Sequence, residues 1–124
     1  MLGAIGLLTF VSAVAIAVTI IVSIHNGNDA PRNGPHGVKL TAAESSGRSL
    51  FARTCANCHT LAAVNAVGRI GPNLDVLKPN KLLVLYAISQ GFAGTAAQGQ
   101  MPAGIYSGRD ANEVASFVAA VAGR

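Results

Sequence analysis

The stretch Cys55-Ala56-Asn57-Cys58-His59 decides how the rest of this 124-residue chain is interpreted. Two cysteines separated by two residues, with a histidine directly after them, place three groups that bind metals or cofactors within five residues. The chain contains no other cysteine. Four chemistries compete for such a stretch: a redox-active dithiol, a zinc site, a structural disulfide and covalent haem attachment.

Three of these chemistries leave part of the stretch unexplained. A thioredoxin-like redox pair uses Cys-x-x-Cys in a βαβ setting, which the helical patterns of this chain do not offer. A zinc site needs further cysteines or suitably spaced histidines, and a plain disulfide leaves His59 without a role. In the fourth, both thiols add across the vinyl groups of one haem and the histidine binds its iron. The stretch therefore predicts one covalent haem c bound by Cys55, Cys58 and His59.

The iron of such a haem takes a second axial ligand, for which Met101 is the candidate. It is the only methionine besides Met1 and lies in Gly99-Gln100-Met101-Pro102, a loop pattern rather than a helix face. A lone methionine more often fills a gap in a core, but the loop position favours a ligand. Imidazole and thioether ligation raises the reduction potential and suits electron transfer.

Helical patterns surround these residues. Thr41 and Glu44 form a capping-box pattern that predicts a helix running to Cys55; its expected face consists of Gly47, Leu50, Phe51 and Thr54. A second helix is predicted from near Pro79 to Gly91, with one face made of Leu82, Leu85, Tyr86 and Ser89. A third is predicted to start at Asp110, with a core face made of Val114, Phe117, Val118 and Val121. No useful alternation predicts a strand, so the expected fold class is all-α.

The amino-terminal region predicts a membrane anchor. Residues 2–24 carry no charge, and 23 helical residues span about 34 Å, enough to cross a hydrocarbon core of about 30 Å. A cleaved signal peptide would have a basic start and a small-residue cleavage site. The first residues carry no Lys or Arg, and the residues after the apolar run form a poor cleavage site. We expect a retained single-pass helix over 1–24, a Gly- and Pro-rich linker over 25–39 and a haem domain over 40–124. The small residues Ala13 and Ala17 lie on one helix face and suit contacts with other helices.

Size and charge narrow the function further. About 85 residues with five aromatic side chains make a marginal core, so a cofactor is expected to complete it. Nine basic and five acidic side chains give a formal charge of +4, and two haem propionates would reduce this to +2 (+4 − 2). That charge is weak for steering a distant partner, and no nucleic-acid partner is expected.

Taken together, these residues resemble the class I cytochromes c over about two-thirds of the chain. Cys55 to Thr60 is similar to the haem attachment motif, 71–74 (Gly-Pro-Asn-Leu) to the stretch behind the proximal histidine, and 101–103 (Met-Pro-Ala) to the distal ligand loop. Gly47, Phe51 and Phe117 resemble the crossing of the first and last helices. The resemblance implies that the Pro72 carbonyl accepts a hydrogen bond from His59, and that the haem domain lies outside the cytoplasm. The tryptophan that many relatives place against a propionate is absent.

Three classes of function remain open at this point. The leading one is electron transfer, as a subunit of a respiratory or photosynthetic complex or as a free membrane-tethered shuttle, with a quinol-oxidising complex or a terminal oxidase as partner. A haem peroxidase or nitrite-converting enzyme requires an open iron position, against which Met101 argues. A redox or gas sensor usually carries an output domain. We therefore expect an electron carrier rather than an enzyme.

Overall fold

A computed structural model of the chain describes residues 11–21, 37–94 and 99–124. The chain forms two compact units, residues 1–31 and 32–124. The proposed linker overlaps both units, and most of it (25–36) lies outside the described residues. The boundaries predicted at 24 and 39 therefore stay predictions.

The first unit contradicts the predicted membrane anchor. Within the three described ranges, no helix combines the length and the apolar character that crossing a bilayer requires. The helix described in this unit comprises residues 11–21. The single-pass anchor over 1–24 and the membrane localisation derived from it are corrected accordingly. Residues 1–10 and 22–24 of that prediction lie outside the described residues.

The described part of the second unit contains four α-helices, and the sequence predicted three of them. Helix α1 is Ala42–Thr54, α2 is Leu74–Leu77, α3 is Lys81–Gln90 and α4 is Gly108–Val121. The capping box that starts α1 is confirmed: the Thr41 hydroxyl accepts from the Glu44 N–H, and the Glu44 carboxylate accepts from the Thr41 N–H. The Asn80 side chain caps α3, which ends at Gly91 as predicted. Helix α2, with four residues, is too short for a periodic pattern.

A small sheet contradicts the all-α expectation. Strands β1 (Thr60–Leu61) and β2 (Ala66–Val67) pair antiparallel, with Thr60 opposite Val67 and Leu61 opposite Ala66. Between them a 3₁₀ turn ends at Asn65, whose φ of 54° lies in the left-handed region that asparagine tolerates. Strands of two residues cannot show an alternation of apolar and polar positions, so the sequence pattern gave no sign of them.

The core lies where α1 crosses α4. A Cβ at Gly47 would overlap the Glu113 carbonyl, so glycine is what lets the two backbones touch. Beside it the rings of Phe51 and Phe117 meet edge to face, with centroids 6.1 Å apart. The predicted core face of α4 is confirmed, since the four residues that compose it are all buried: Val114, Phe117, Val118 and Val121.

Helix α3 places its buried side elsewhere than on the face noted in the sequence. Leu82 and Tyr86, from that face, are 77% and 57% exposed, whereas Ile88 is buried at 2%. Ile88 packs with the α1–α4 core. Because residues 82–88 of α3 are all apolar, its periodicity could not distinguish the buried side from the exposed one.

Asp75 connects the middle of the chain to its end. Its carboxylate accepts hydrogen bonds from the N–H of Ala62, at 2.7 Å, and from the N–H of Gly123, at 2.9 Å. Asp75 lies in the first turn of α2, which the Asn73 side chain caps. One side chain thus fixes α2 and the preceding loop, 68–73, relative to both the sheet and the end of α4.

Candidate functional site

The two cysteines lie in a tight turn at the end of α1. A 3₁₀ turn, Cys55–Asn57, follows the helix directly, and Cys58 closes it. The N–H groups of Cys58 and His59 both donate to the Cys55 carbonyl, at 3.1 and 3.0 Å. Both cysteines are half-buried free thiols. Helix α1 therefore delivers both sulfurs and the histidine within one turn of backbone.

The imidazole of His59 is oriented by a carbonyl. Its Nδ1 lies 2.9 Å from the Pro72 oxygen, and since a carbonyl only accepts, Nδ1 must carry the proton. Nε2 then keeps its lone pair and is the nitrogen available to a metal. The structure thus contains the hydrogen bond that the sequence resemblance implied.

Two glycines let the loop 68–72 lie against the histidine and the cysteine turn. The Gly71 N–H donates to the Cys58 carbonyl at 2.8 Å. A Cβ on Gly71 would lie 2.5 Å from Cε1 and 2.8 Å from Nδ1 of His59, closer than real contacts allow. A Cβ on Gly68 would lie 2.8 Å from the main-chain oxygen of Ala56 and 2.8 Å from the main-chain nitrogen of His59. The imidazole is therefore held between its hydrogen bond and the bare backbone of Gly71.

Met101 is held by its backbone. Its N–H donates to the Phe92 carbonyl and its carbonyl accepts from the Phe92 N–H, both at 3.0 Å, which forms an isolated antiparallel bridge. Its side chain is half-buried and packs against the same buried cluster as Cys55. Residues that are 46 positions apart in sequence thus share one apolar cluster.

The loop 68–72, which lies against His59, touches the loop that carries Met101. The Gly99 N–H donates to the Ile70 carbonyl at 3.2 Å, and a Cβ on Gly99 would overlap the Ile70 side chain. Gly99 precedes Met101 by two residues, and Ile70 precedes Pro72 by two. The structure therefore joins the loop that supports His59 directly to the loop that carries Met101.

The geometry disfavours the rival chemistries for the cysteines. Burial, and secondly the charge of Cys58, raise the pKa of the Cys55 thiol to about 11, whereas a redox-active dithiol needs a lowered thiol pKa. Among the described residues, no group of three or more His, Cys, Asp or Glu side chains is placed to hold a metal ion. A zinc site of protein ligands is therefore not formed there.

The sequence missed several residues that shape this site. Gly91 and Phe92 support Met101, but nothing in the sequence pairs Phe92 with a residue nine positions later. Tyr106 ties the segment after Met101 to α1: its hydroxyl donates to the Leu50 carbonyl at 3.1 Å and lies 2.7 Å from the Thr54 hydroxyl. A lone tyrosine beside a Gly- and Pro-bearing loop carries no signal for such a contact.

The residues present fit haem c. The thiols of Cys55 and Cys58 remain free to form thioethers, and Nε2 of His59 is free to bind iron. Met101 supplies a soft thioether from a separate, backbone-fixed loop. The fit rests on the proton position of His59 and on the bare glycine behind its ring, since both leave the imidazole fixed with one nitrogen available.

Comparison with known proteins agrees with covalent haem attachment. No protein-family model and none of the curated proteins matches the chain. Among solved structures, the chain is similar to the crystal structure of the c-type cytochrome SorU from Sinorhizobium meliloti, with 40% sequence identity and a TM-score of 0.55. The match covers 66% of this chain and 93% of that one. The chain therefore belongs to the class I c-type cytochromes, and haem c is its covalently bound cofactor.

Proposed function

We propose that the chain transfers single electrons between partner proteins through a haem c attached at Cys55 and Cys58, whose iron His59 and Met101 would bind. Its family supports haem-based electron transfer, while the ligand assignment rests on the site geometry. The pair of backbone hydrogen bonds between Met101 and Phe92 carries the proposal. A methionine fixed in this way favours a closed iron over the open position that a haem enzyme requires.

The protein's part in this function is to hold the two ligands in place. When bound, haem supplies a one-electron iron couple whose potential a Met/His ligand pair raises. The Pro72 carbonyl and Gly71 keep the imidazole of His59 in one orientation. Met101 shares the apolar cluster with Cys55, which keeps the surroundings of the site poor in water. Such an environment favours the less charged redox state and so raises the potential further.

The test of the ligand assignment is the variant Met101→Ala, with Gln100→Ala as its matched control. Gln100 is exposed and adjacent, and contributes no thioether. Met101→Ala is expected to keep covalent haem, lose the long-wavelength band of Met-ligated ferric haem, lower the reduction potential and bind carbon monoxide when ferrous. Gln100→Ala should match the wild type. The assignment is wrong if the wild type already binds carbon monoxide readily and Met101→Ala leaves the spectrum unchanged.

We also propose that the chain works as a resident subunit of a respiratory or photosynthetic electron-transfer complex, alongside a quinol-oxidising complex or a terminal oxidase. The support is the helix at 11–21, whose large aliphatic side chains are all about half exposed or more. Contiguous exposed apolar surface of this kind marks interaction sites. Its Ala13 and Ala17 lie four residues apart and suit close helix contact.

Co-purification from native extract tests this second proposal. Replacing Ala13 and Ala17 with Leu should abolish recovery of partner proteins while the haem spectrum stays intact. Val14→Leu with Val18→Leu is the matched control, since it has the same spacing on another face of the helix and should retain the partners. A wild-type chain that is recovered alone, and whose turnover rises with its own concentration, would instead be a free shuttle.

A further inference from the structure

Gly91, at the end of α3, lies directly against the backbone of the Met101 loop. It is buried, and a Cβ added to it would overlap the Met101 carbonyl oxygen. The same Cβ would lie 2.8 Å from the Ala103 nitrogen and 3.0 Å from the Pro102 carbonyl carbon. All three contacts are to main-chain atoms, so no side-chain rotation could relieve them.

The backbone conformation of Gly91 also turns the chain towards Met101. Its φ is 68° and its ψ is −175°, a region that is essentially restricted to glycine. Its own N–H closes α3 on the Ala87 carbonyl at 2.8 Å. The next residue, Phe92, then makes both hydrogen bonds with Met101. The reversal at Gly91 therefore converts the end of a helix into one side of the bridge that holds the candidate ligand.

A second hydrogen bond fixes the other side of the same loop. The Gly104 N–H donates to the Ile88 carbonyl at 2.8 Å, and Ile88 is a core residue of α3. The segment 101–104 is thus attached to the last turn of α3 at Ile88 and at Phe92, with Gly91 facing it between these two points. Only a residue without a side chain fits that position.

We propose that Gly91 is a positioning residue for Met101. By turning the chain and by lacking a side chain, Gly91 allows the backbone bridge between Phe92 and Met101 to hold the thioether where it would bind the iron. The inference rests on the proposed role of Met101 and adds the residue that controls it. A side chain at 91 shifts the population towards a state in which Met101 is displaced. An added ligand then binds more tightly, in proportion to that population.

The experiment measures imidazole binding to the ferric holoprotein of Gly91→Ala, with Gly104→Ala as the matched control. Both glycines have a φ of 68°, and Gly104 lies in the same segment as Met101, 101–104, but a Cβ at Gly104 meets nothing within 4 Å. Gly91→Ala is expected to raise the apparent imidazole affinity at least about tenfold, equivalent to about 1.4 kcal/mol, and to weaken the long-wavelength band. Gly104→Ala should change the affinity by less than about threefold, well below that step.

Met101→Ala, measured alongside, separates the two hypotheses. If the wild type binds imidazole as tightly as Met101→Ala does, the ligand assignment itself has failed. If Met101→Ala binds tightly while Gly91→Ala stays at the wild-type value, only the role of Gly91 is refuted. Equal effects of Gly91→Ala and Gly104→Ala would also refute it, because general strain in the loop would then explain both.

If Gly91→Ala does not accumulate as holoprotein, a measurement on the wild type tests the backbone bridge on which the role of Gly91 depends. Amide hydrogen exchange, followed by NMR, should show the N–H groups of Phe92 and Met101 protected relative to that of exposed Gln100. Exchange of the Met101 N–H as fast as that of Gln100 would mean that no bridge forms in solution. The positioning role of Gly91 would then be excluded.

Discussion

The two sides of the site are built on different principles. On the proximal side the protein contacts the histidine ring itself: Pro72 accepts from its Nδ1, and Gly71 lies against its edge. On the distal side the main chain of Met101 is fixed by Phe92 and Gly91, and the described residues offer no polar contact to its thioether. One ligand is therefore held through its side chain and the other through its backbone.

The difference follows from the chemistry of the two side chains. An imidazole has a second nitrogen, and bonding it sets the tautomer, the orientation and the basicity of the ring. A thioether has no donor and is only a weak acceptor, so nothing polar can hold it. The protein can restrict its position only by fixing the loop and leaving the side chain to find the iron. We therefore expect proximal changes to affect folding and distal changes to affect ligation.

The largest effect should come from removing both thioether bonds, because the haem is then no longer attached and both sides of the site lose it. Cys55→Ala with Cys58→Ala should yield a chain without covalent haem that is largely unfolded. A domain of this size, with two aromatic rings in its core, has marginal stability without a cofactor to complete that core. Circular dichroism and thermal melting measure this.

Single replacements provide the control for that variant. Cys58→Ala alone keeps one thioether and should retain helix content with a lowered melting temperature. A double variant with native helix content and cooperative melting, free of bound haem, would show that the protein part alone is sufficient for folding.

A proximal change of intermediate size is Gly71→Ala. The added Cβ would lie 2.5 Å from Cε1 of His59. The imidazole ring therefore has to move, which strains the hydrogen bond between His59 and the Pro72 carbonyl. Overpacking of this kind costs about 1–3 kcal/mol, and chemical denaturation of the ferrous holoprotein should show a loss in this range. Pro72→Ala is the control, since it keeps the carbonyl that accepts from His59 and should cost less. Equal losses for the two variants would argue against a specific contact with the ring.

The sequence predicted those parts of the molecule that depend on local chemistry. The capping box at Thr41 and the spacing of apolar residues in α4 follow from neighbouring residues, and both are confirmed. The glycine that ends α3 was also located correctly. For the site, the five-residue motif identified the cofactor, because its spacing matches the chemistry of a haem edge.

The rest depends on contacts that sequence spacing does not encode. The bridge between Phe92 and Met101 and the contact between Ile70 and Gly99 join loops without periodic pattern. The role of Gly91 beyond ending a helix emerges only when the returning chain lies against it. The anchor prediction failed for a different reason: an uncharged run of 23 residues satisfies a length criterion in sequence, whereas no helix among the described residues is long and apolar enough to cross a membrane.

The smallest expected effect, on the distal side, is that of Tyr106→Phe. The Tyr106 hydroxyl donates to the Leu50 carbonyl and, with its proton used there, accepts from the Thr54 hydroxyl. Because Thr54 directly precedes Cys55, this residue connects the segment after Met101 to the start of the attachment turn. Loss of the hydroxyl removes about 0.5–1.5 kcal/mol of the free energy that holds the two segments together.

Tyr86→Phe serves as the control, since the side chain of Tyr86 is largely exposed and keeps its edge-to-face contact with Phe92. If the comparison holds, Tyr106→Phe raises the imidazole affinity of the ferric protein by about two- to tenfold, as that free energy implies, with a smaller fall in melting temperature than Gly71→Ala. If the variant melts earlier while its imidazole affinity stays at the wild-type value, Tyr106 stabilises α1 and does not hold the distal loop.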